Sequence, residues 1–303
     1  MKTLNKLKIS VLLIFSLIVI GCTQVPVSVT TTNGTEDIVP NATEPLNQTN
    51  TTLPEGETID EEINRKYDGL AIYAPNLNGE SVLINYGENS MLINAGTETD
   101  SQNILHLVRS VGITSLDYFV LSDATIYTTG SLPFLILKTT PTNFIESGFI
   151  NQANYNYDLA KTLFKNATKI PSDEIINFGD AYVKLLVPYD DGSGFGTTPW
   201  QNSIAVKVIY GGQTVLIMNG CDFLCEDKIM DDGVDADTLF ISDDCQGNTL
   251  AFLQKVTPTK VISTGVMCDP LRERFKQLDI EVIDNTEKDV VVVLENGQTV
   301  KTQ

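Results

Sequence analysis

The side chains best placed for chemistry lie in a loop that follows an apolar, strand-like run at residues 118–121. The loop ends at Gly130 and contains four side chains of interest: Asp123, Thr125, Tyr127 and Thr128. In α/β proteins, loops that follow a buried strand commonly carry binding and catalytic side chains. We therefore treat this loop as the centre of the candidate site and ask what could join it.

Further aspartates stand after two later strand-like runs: Asp222, Asp243 and Asp244. Together with Asp123 they could offer carboxylate oxygens to Ca²⁺ or Mg²⁺, which prefer such ligands. No regular spacing motif supports that set, so a hard-cation site is an alternative and not the leading prediction. The sequence predicts no bound cofactor.

Four cysteines lie in the same part of the chain: Cys221, Cys225, Cys245 and Cys268. An even number in an exported chain favours two disulfides, although the sequence cannot choose among the three possible pairings. A four-cysteine zinc site is the alternative. It is disfavoured because zinc fingers use two tight cysteine pairs, and only Cys221 and Cys225 are closely spaced.

The chain contains one histidine, His106, within the helix-like stretch 101–111. A di-zinc hydrolase site needs several imidazoles, and serine or threonine catalysis usually needs a nearby imidazole base. We expect His106 to be an ordinary helix residue. Trp200 and Tyr210 could line a binding surface, but packing aromatics are the more common outcome.

The N-terminal region predicts export and a membrane anchor. Residues 1–22 combine three lysines, an apolar run at 9–20 that is too short for a confident membrane span, and a lipobox-like ending whose cysteine, Cys22, would carry the lipid. An uncleaved anchor is the alternative. Residues 23–65 form a Thr-, Asn-, Pro- and Glu-rich linker. The linker contains candidate glycosylation sites at Asn33, Asn41, Asn47 and Asn50.

Residues 66–303 have the composition of one globular domain. Strand-like runs alternate with helical spacings, and Gly211-Gly212 predicts a hairpin between residues 203–210 and 213–218. This pattern predicts an α/β fold with mixed sheets. The formal net charge is −19, which opposes binding to nucleic acid because phosphates are recognised by basic side chains.

Several fragments carry a resemblance to a known family. The segment 121–133 follows a strand and ends in Gly130-Ser-Leu-Pro133, residues 91–96 read M-L-I-N-A-G, and residues 216–221 read L-I-M-N-G-C. In order and spacing these fragments, with 78–84, 202–203, 210–212 and 240–245, resemble the metallo-β-lactamase superfamily. The similarity is strongest to the hydrolase domain of ComEC-type DNA-uptake proteins. It implies an αββα sandwich with two mixed sheets over residues 66–303.

The resemblance also implies that the metal-binding motifs are degenerate. The family loop T-H-x-H-x-D-H-x-G-G is matched by Asp123, Thr125, Tyr127 and Thr128 at its ligand positions. Cys221 replaces the bridging aspartate, and Asp243 and Asp244 stand where the family has His-His. The resemblance therefore predicts a scaffold without the family's zinc ligands, and hence no zinc.

The inferred fold brings the ends of the strands before Cys221, Cys245 and Cys268 to one rim. On that basis we expect Cys221 or Cys225 to be joined to Cys245 or Cys268. The leading function is a non-catalytic binding or structural module for an unidentified protein or small molecule, held outside the cell membrane by a lipid. A hydrolase with a rebuilt Cys/Asp metal site and an accessory subunit of DNA-uptake or envelope machinery are the alternatives.

Overall fold

The computed structural model describes residues 66–149, 154–164, 168–169, 174–188, 196–242, 245–286, 288–295 and 298–302. The signal, lipobox, linker and sequons lie outside the described residues, as do Asp243 and Asp244. The described part of the chain contains no helix with the length and apolar character needed to cross a membrane.

Strands and helices alternate along the described chain. The strands are β1 (Leu70–Ala74), β2 (Val82–Tyr86), β3 (Asn89–Ile93), β4 (Tyr118–Leu121), β5 (Asn143–Glu146), β6 (Thr168–Lys169), β7 (Glu174–Phe178), β8 (Ala181–Leu186), β9 (Ala205–Tyr210), β10 (Gln213–Met218), β11 (Thr238–Ile241), β12 (Lys260–Ser263), β13 (Glu281–Asp284), β14 (Val290–Glu295) and β15 (Gln298–Thr302). The α-helices are α1 (Ser101–Ser110), α2 (Ile126–Thr129), α3 (Leu132–Thr139), α4 (Tyr155–Leu163), α5 (Phe223–Ile229), α6 (Leu250–Val256) and α7 (Asp269–Gln277). Short 3₁₀ turns occupy Glu98–Asp100 and Trp200–Asn202.

The strands form two mixed sheets. The first sheet has the order β15-β14-β1-β2-β3-β4-β5-β6, and the second has the order β13-β12-β11-β10-β9-β8-β7. In each sheet, antiparallel hairpins continue into parallel strands: β3, β4, β5 and β6 are parallel in the first, and β10, β11, β12 and β13 in the second. The predicted hairpin at Gly211-Gly212 is confirmed, with both glycines at positive φ.

The core has three layers of buried apolar side chains, and β1 shows how one strand serves two of them. Leu70, Ile72 and Ala74 belong to the cluster shared by both sheets. Ala71 and Tyr73 belong to the cluster between the first sheet and α1, α3 and α4. A strand buried on both faces reads as a continuous apolar run, as this one does. A third cluster joins the second sheet to α5, α6 and α7, so the predicted αββα architecture is confirmed.

The alternation of strands and helices is as predicted, but strands β6 and β7 and helix α2 were missed. Strand β7 was not predicted because only two of its five side chains are buried, which leaves a weak apolar pattern in the sequence. Helix α2 is a single turn that contains two threonines, which have low intrinsic helix propensity. His106 is exposed on α1, as expected of a surface helix residue.

Candidate functional site

The two sheets meet at the loop predicted to be central. This loop follows β4 of the first sheet, and Ile204, next to β9 of the second sheet, donates its backbone N–H to the Ser122 carbonyl at 2.9 Å. Gly220, just beyond β10, lies against the carboxylate of Asp123. The carboxyl ends of parallel strands from both sheets therefore share one rim. We call it the site rim, and its described part comprises residues 122–131, 219–225, 242, 245–246 and 264–268.

Asp123 is buried within a network of hydroxyl groups. Its Oδ1 accepts a hydrogen bond from the backbone N–H of Thr125 at 2.9 Å and lies 2.9 Å from the Thr128 hydroxyl. The same hydroxyl lies 2.9 Å from the backbone oxygen of Asp123, so its single proton serves one acceptor at a time. The Thr128 hydroxyl also accepts from the backbone N–H of Thr125 at 3.2 Å, which caps the first turn of α2. The side chains of Thr128 and Asp123 thus fix the conformation of this loop.

The second carboxylate oxygen of Asp123, Oδ2, is buried and has no hydrogen-bond partner among the described residues. It faces Gly220, where an added Cβ would collide with it and would approach Trp200 to 3.3 Å. Gly220 also has φ +71°, so both its conformation and its close contact require glycine. Burial raises the pKa of Asp123, and the hydrogen bonds from Thr125 and Thr128 oppose that rise only in part.

A second buried carboxylate, that of Asp100, holds backbone segments that pack against the loop. Asp100 is 1% exposed. Its Oδ2 accepts from the Thr97 backbone N–H at 2.7 Å and from the Gly79 N–H at 2.9 Å. Gly79 in turn packs so closely that an added Cβ would lie 2.5 Å from the Tyr127 backbone oxygen. Sequence reasoning missed Asp100, although its spacing three residues after Thr97 is that of a capping box.

The side chain of Asn94 forms hydrogen bonds directly to the loop. Asn94 follows β3 in the segment M-L-I-N-A-G, and its φ is +62°. Its side-chain oxygen accepts from the Ser122 backbone N–H at 2.9 Å and from the Ser122 hydroxyl at 3.0 Å. A neutral amide therefore positions the residue that immediately precedes Asp123.

The four cysteines form two disulfides, but the predicted pairing is wrong. Cys221 is bonded to Cys225, and Cys245 to Cys268. The local pairing follows from the turn that starts α5. The Asp222 carboxylate accepts from the backbone N–H of Cys225 at 3.1 Å, and this cap brings Cys225 back over Cys221 with a Cα–Cα distance of 5.4 Å. Cys245 and Cys268 join two rim loops.

These bonds also decide what the former ligand positions can offer. All four sulfurs are in disulfides, so the four-cysteine zinc alternative is wrong, and Cys221 is not a thiolate that could replace the bridging aspartate. Asp222 is occupied as the N-cap of α5. Within the described ranges no three His, Cys, Asp or Glu side chains come together in a way that could hold a metal.

The predicted site residues therefore have different surroundings. Asp123 and Thr128 are buried, Thr125 is half-buried, and Tyr127 is 51% exposed. The zinc that the fold family implies does not fit the described donors, because the hydroxyls of Thr125 and Thr128 and the sulfurs of a disulfide are not zinc ligands. What the rim offers instead is a set of loops fixed by hydrogen bonds and disulfides.

A cavity of about 480 Å³ opens beside this rim. Tyr127 and Trp200 line it together with Ser242 and Gln246, and the segments 76–80, 264–266 and 285–286 complete its wall. Of the two aromatics noted in the sequence, Trp200 thus lines a cavity. Tyr210 instead packs against Tyr86, with ring centroids 5.0 Å apart.

Comparisons with known proteins identify the fold. No protein-family model matches the chain, and no curated protein does. Solved structures do match. The metallo-β-lactamase fold protein YhfI from Bacillus subtilis superposes with a TM-score of 0.51 at 14% identity, covering 72% of this chain and 96% of that protein. Tm1679, described as a metal-dependent hydrolase of the β-lactamase superfamily, gives 0.50 at 13% identity, covering 75% and 98%.

A third match is Zn²⁺-bound PqqB from Methylobacterium extorquens, with a TM-score of 0.50 at 12% identity, covering 74% of this chain and 100% of that protein. At these identities the matches establish the fold and nothing about activity. The chain thus has a metallo-β-lactamase fold.

Proposed function

We propose that this protein is an extracytoplasmic lipoprotein whose metallo-β-lactamase-fold domain acts without catalysis, as a binding or structural module. The observation that carries the proposal is the use of the former ligand positions. Thr125 and Thr128 hydrogen-bond around a buried Asp123, and Cys221 is sealed in a disulfide. Side chains committed to holding loops cannot also hold the metal that activates water in hydrolases of this fold.

The proposed location rests on the N-terminal sequence and on the cysteines. Disulfides persist in oxidising compartments outside the cytoplasm, and two of them link rim residues here. Mass spectrometry of the N-terminal peptide tests the anchor. We expect a lipid-modified Cys22 that becomes the first residue, and release of the protein from membranes in Cys22→Ser. An unmodified Cys22 in membrane-bound protein would favour the uncleaved anchor.

Turnover assays test the absence of catalysis. The full-length protein, purified with its disulfides intact, would be assayed with phosphodiester, thioester and β-lactam substrates in the presence of added Zn²⁺, Mn²⁺ or Fe²⁺. We expect rates no higher than those of the matched variant Asp123→Asn. Metal-dependent turnover that Asp123→Asn abolishes would instead establish the alternative, a hydrolase with a rebuilt metal site.

A role as an accessory part of DNA-uptake machinery is a further hypothesis, suggested by the sequence resemblance alone. The net charge of −19 opposes it. Binding of duplex DNA that weakens steeply between low and physiological salt would favour this hypothesis. We expect no such binding.

A further inference from the structure

The cavity beside the site rim has a lining that disfavours anionic ligands. Its described lining residues include no lysine, arginine or histidine, so no basic side chain is available there to neutralise a phosphate or a carboxylate. The chain as a whole carries a net charge of −19, which repels anions further. Glu80, the one carboxylate among these residues, already has an intramolecular partner. A neutral ligand is therefore better matched to this lining than an anionic one.

Two aromatic side chains supply apolar surface in the same cavity. Tyr127 lies on α2 and is 51% exposed. Trp200 is half-buried and is held against Gly220, since a Cβ added at Gly220 would lie 3.3 Å from the Trp200 ring. Large aromatic rings that combine an apolar body with a polar tip are frequent at recognition sites. A ligand that uses them needs an apolar face.

Amides and hydroxyls supply the polar part of the lining. The Ser242 hydroxyl accepts from the Gly220 backbone N–H at 3.0 Å, which leaves its proton available for donation. The Thr264 hydroxyl donates to the Ile241 carbonyl at 3.0 Å, which leaves its oxygen available as an acceptor. Gln246 is exposed and adds an amide with both donor and acceptor groups. The wall thus offers uncharged donors and acceptors close to two aromatic rings.

The wall is also held in place before any ligand arrives. Gln246 follows Cys245, and Val266 precedes Cys268 by two residues, so the disulfide between those cysteines ties two sides of the cavity together. On a third side, the side-chain nitrogen of Asn76 donates to the Thr286 carbonyl at 3.1 Å. A preorganised wall lowers the entropic cost of binding.

We propose that this cavity binds a neutral oligosaccharide. A sugar ring has an apolar face of C–H groups and an edge of hydroxyls, and this matches a wall that places Tyr127 and Trp200 beside Ser242, Thr264 and Gln246. A volume of about 480 Å³ accommodates a ligand of one to a few sugar rings. The inference rests on the proposed non-catalytic function, since it names what the binding module binds.

The only tryptophan of the chain, Trp200, lies in this cavity, so its fluorescence reports on the cavity directly. The full-length protein would be held in a detergent without a sugar headgroup. It would then be titrated with a panel of neutral α- and β-linked hexose and N-acetylhexosamine oligosaccharides. Parallel titrations would use a polyamine and an acidic oligosaccharide.

We expect a saturable change in Trp200 emission with at least one neutral oligosaccharide. Tyr127→Ala should weaken that binding about tenfold, because it removes one apolar surface from the wall. Tyr182→Ala, which truncates an aromatic that is 53% exposed on β8 and does not line the cavity, should change the affinity less than about twofold. Gln246→Ala should also weaken binding, without changing the melting temperature.

Three results would overturn the proposal: no saturation with any neutral oligosaccharide of the panel, equal binding by wild type and Tyr127→Ala, or preferential binding of the polyamine or the acidic sugar. None of these results would be evidence of catalysis, so they would leave the proposed non-catalytic function in place. Metal-dependent turnover would have the opposite consequence, because it would end the proposed function while leaving a measured sugar affinity intact.

Discussion

The two sides of the site rim are fixed in different ways. After β4 the loop is held by short-range hydrogen bonds, with the Thr128 hydroxyl and the Thr125 N–H gathered around Asp123. After β10, β11 and β12 the loops are held by disulfides. The comparison indicates that hydrogen bonds and disulfides can each fix a loop of the described rim.

Loss of the longer disulfide should have the largest effect. Cys245 and Cys268 are 23 residues apart, and removing a cross-link that closes such a loop costs about 3 kcal/mol in the chain-entropy model. The double variant Cys245→Ala/Cys268→Ala should therefore melt roughly 6–12 °C below wild type in a domain of this size. Calorimetry on oxidised protein measures this difference. An unchanged melting temperature would show that the two loops are held by other contacts.

Loss of the shorter disulfide should cost less. Cys221 and Cys225 are four residues apart, and the same model gives about 2 kcal/mol for so short a loop. Guanidinium unfolding of Cys221→Ala/Cys225→Ala and of Cys245→Ala/Cys268→Ala, measured side by side, shows which disulfide contributes more to the free energy of unfolding. A larger loss here than for the longer disulfide would contradict the loop-length argument.

Thr128→Val tests the noncovalent side of the rim. It keeps the side-chain shape and removes the hydroxyl that serves Asp123, so we expect a loss of roughly 1–2 kcal/mol in urea unfolding. Thr139→Val is the matched control: Thr139 is equally buried, and its hydroxyl bonds to the Leu135 carbonyl within its own helix at 2.7 Å. That change should cost less than about 1 kcal/mol. Equal losses would mean that the network around Asp123 contributes nothing of its own.

Asp123→Asn should produce the smallest change in stability, and it should raise the melting temperature where the other variants lower it. Burial raises the pKa of Asp123 in the folded protein, so its favourable contribution is full below the unfolded pKa, about 3.9, and is lost as the pH rises through the folded pKa. Asparagine does not titrate and retains an acceptor for Thr125 and Thr128. The variant should therefore gain about 2 °C in melting temperature at pH 7 relative to wild type, and this gain should vanish near pH 4.

Asp117→Asn is the control for that prediction. The Asp117 carboxylate accepts from the backbone N–H and the hydroxyl of Ser90 at 2.8 and 3.0 Å and is only half-buried. Its replacement should lower the melting temperature at pH 7. A gain of stability in both variants would point to relief of the general negative charge and not to the burial of Asp123.

The fold was predictable from the sequence because its signals are local or periodic. The buried run of β1 and the Gly211-Gly212 hairpin can each be recognised from neighbouring residues. The helix α2 was not, since threonines form a turn there only when Thr125 and Thr128 cap each other. The departures from the family motif at Asp123, Thr125, Tyr127 and Thr128 stay a prediction, because they rest on the resemblance alone.

The details of the site were less predictable because they depend on contacts between distant segments. The pairing of Cys221 with Cys225 depends on the cap formed by Asp222, which spacing alone does not reveal. The cavity wall combines segments near residues 78, 127, 200, 242, 265 and 285, and no local pattern in the sequence links them. The capping-box spacing shows the contact of Asp100 with the Thr97 N–H, but its bond to the Gly79 N–H, 21 residues away, has no local signal in the sequence.

Zinc titration of the full-length, oxidised protein tests the central claim most directly. After equilibration with excess Zn²⁺ and dialysis, we predict less than about 0.1 zinc per chain by elemental analysis and no saturable heat by calorimetry, because the threonine hydroxyls and disulfide sulfurs of the rim are not zinc ligands. Retention of about one or two zinc ions per chain, lost in Asp123→Asn, would contradict that claim.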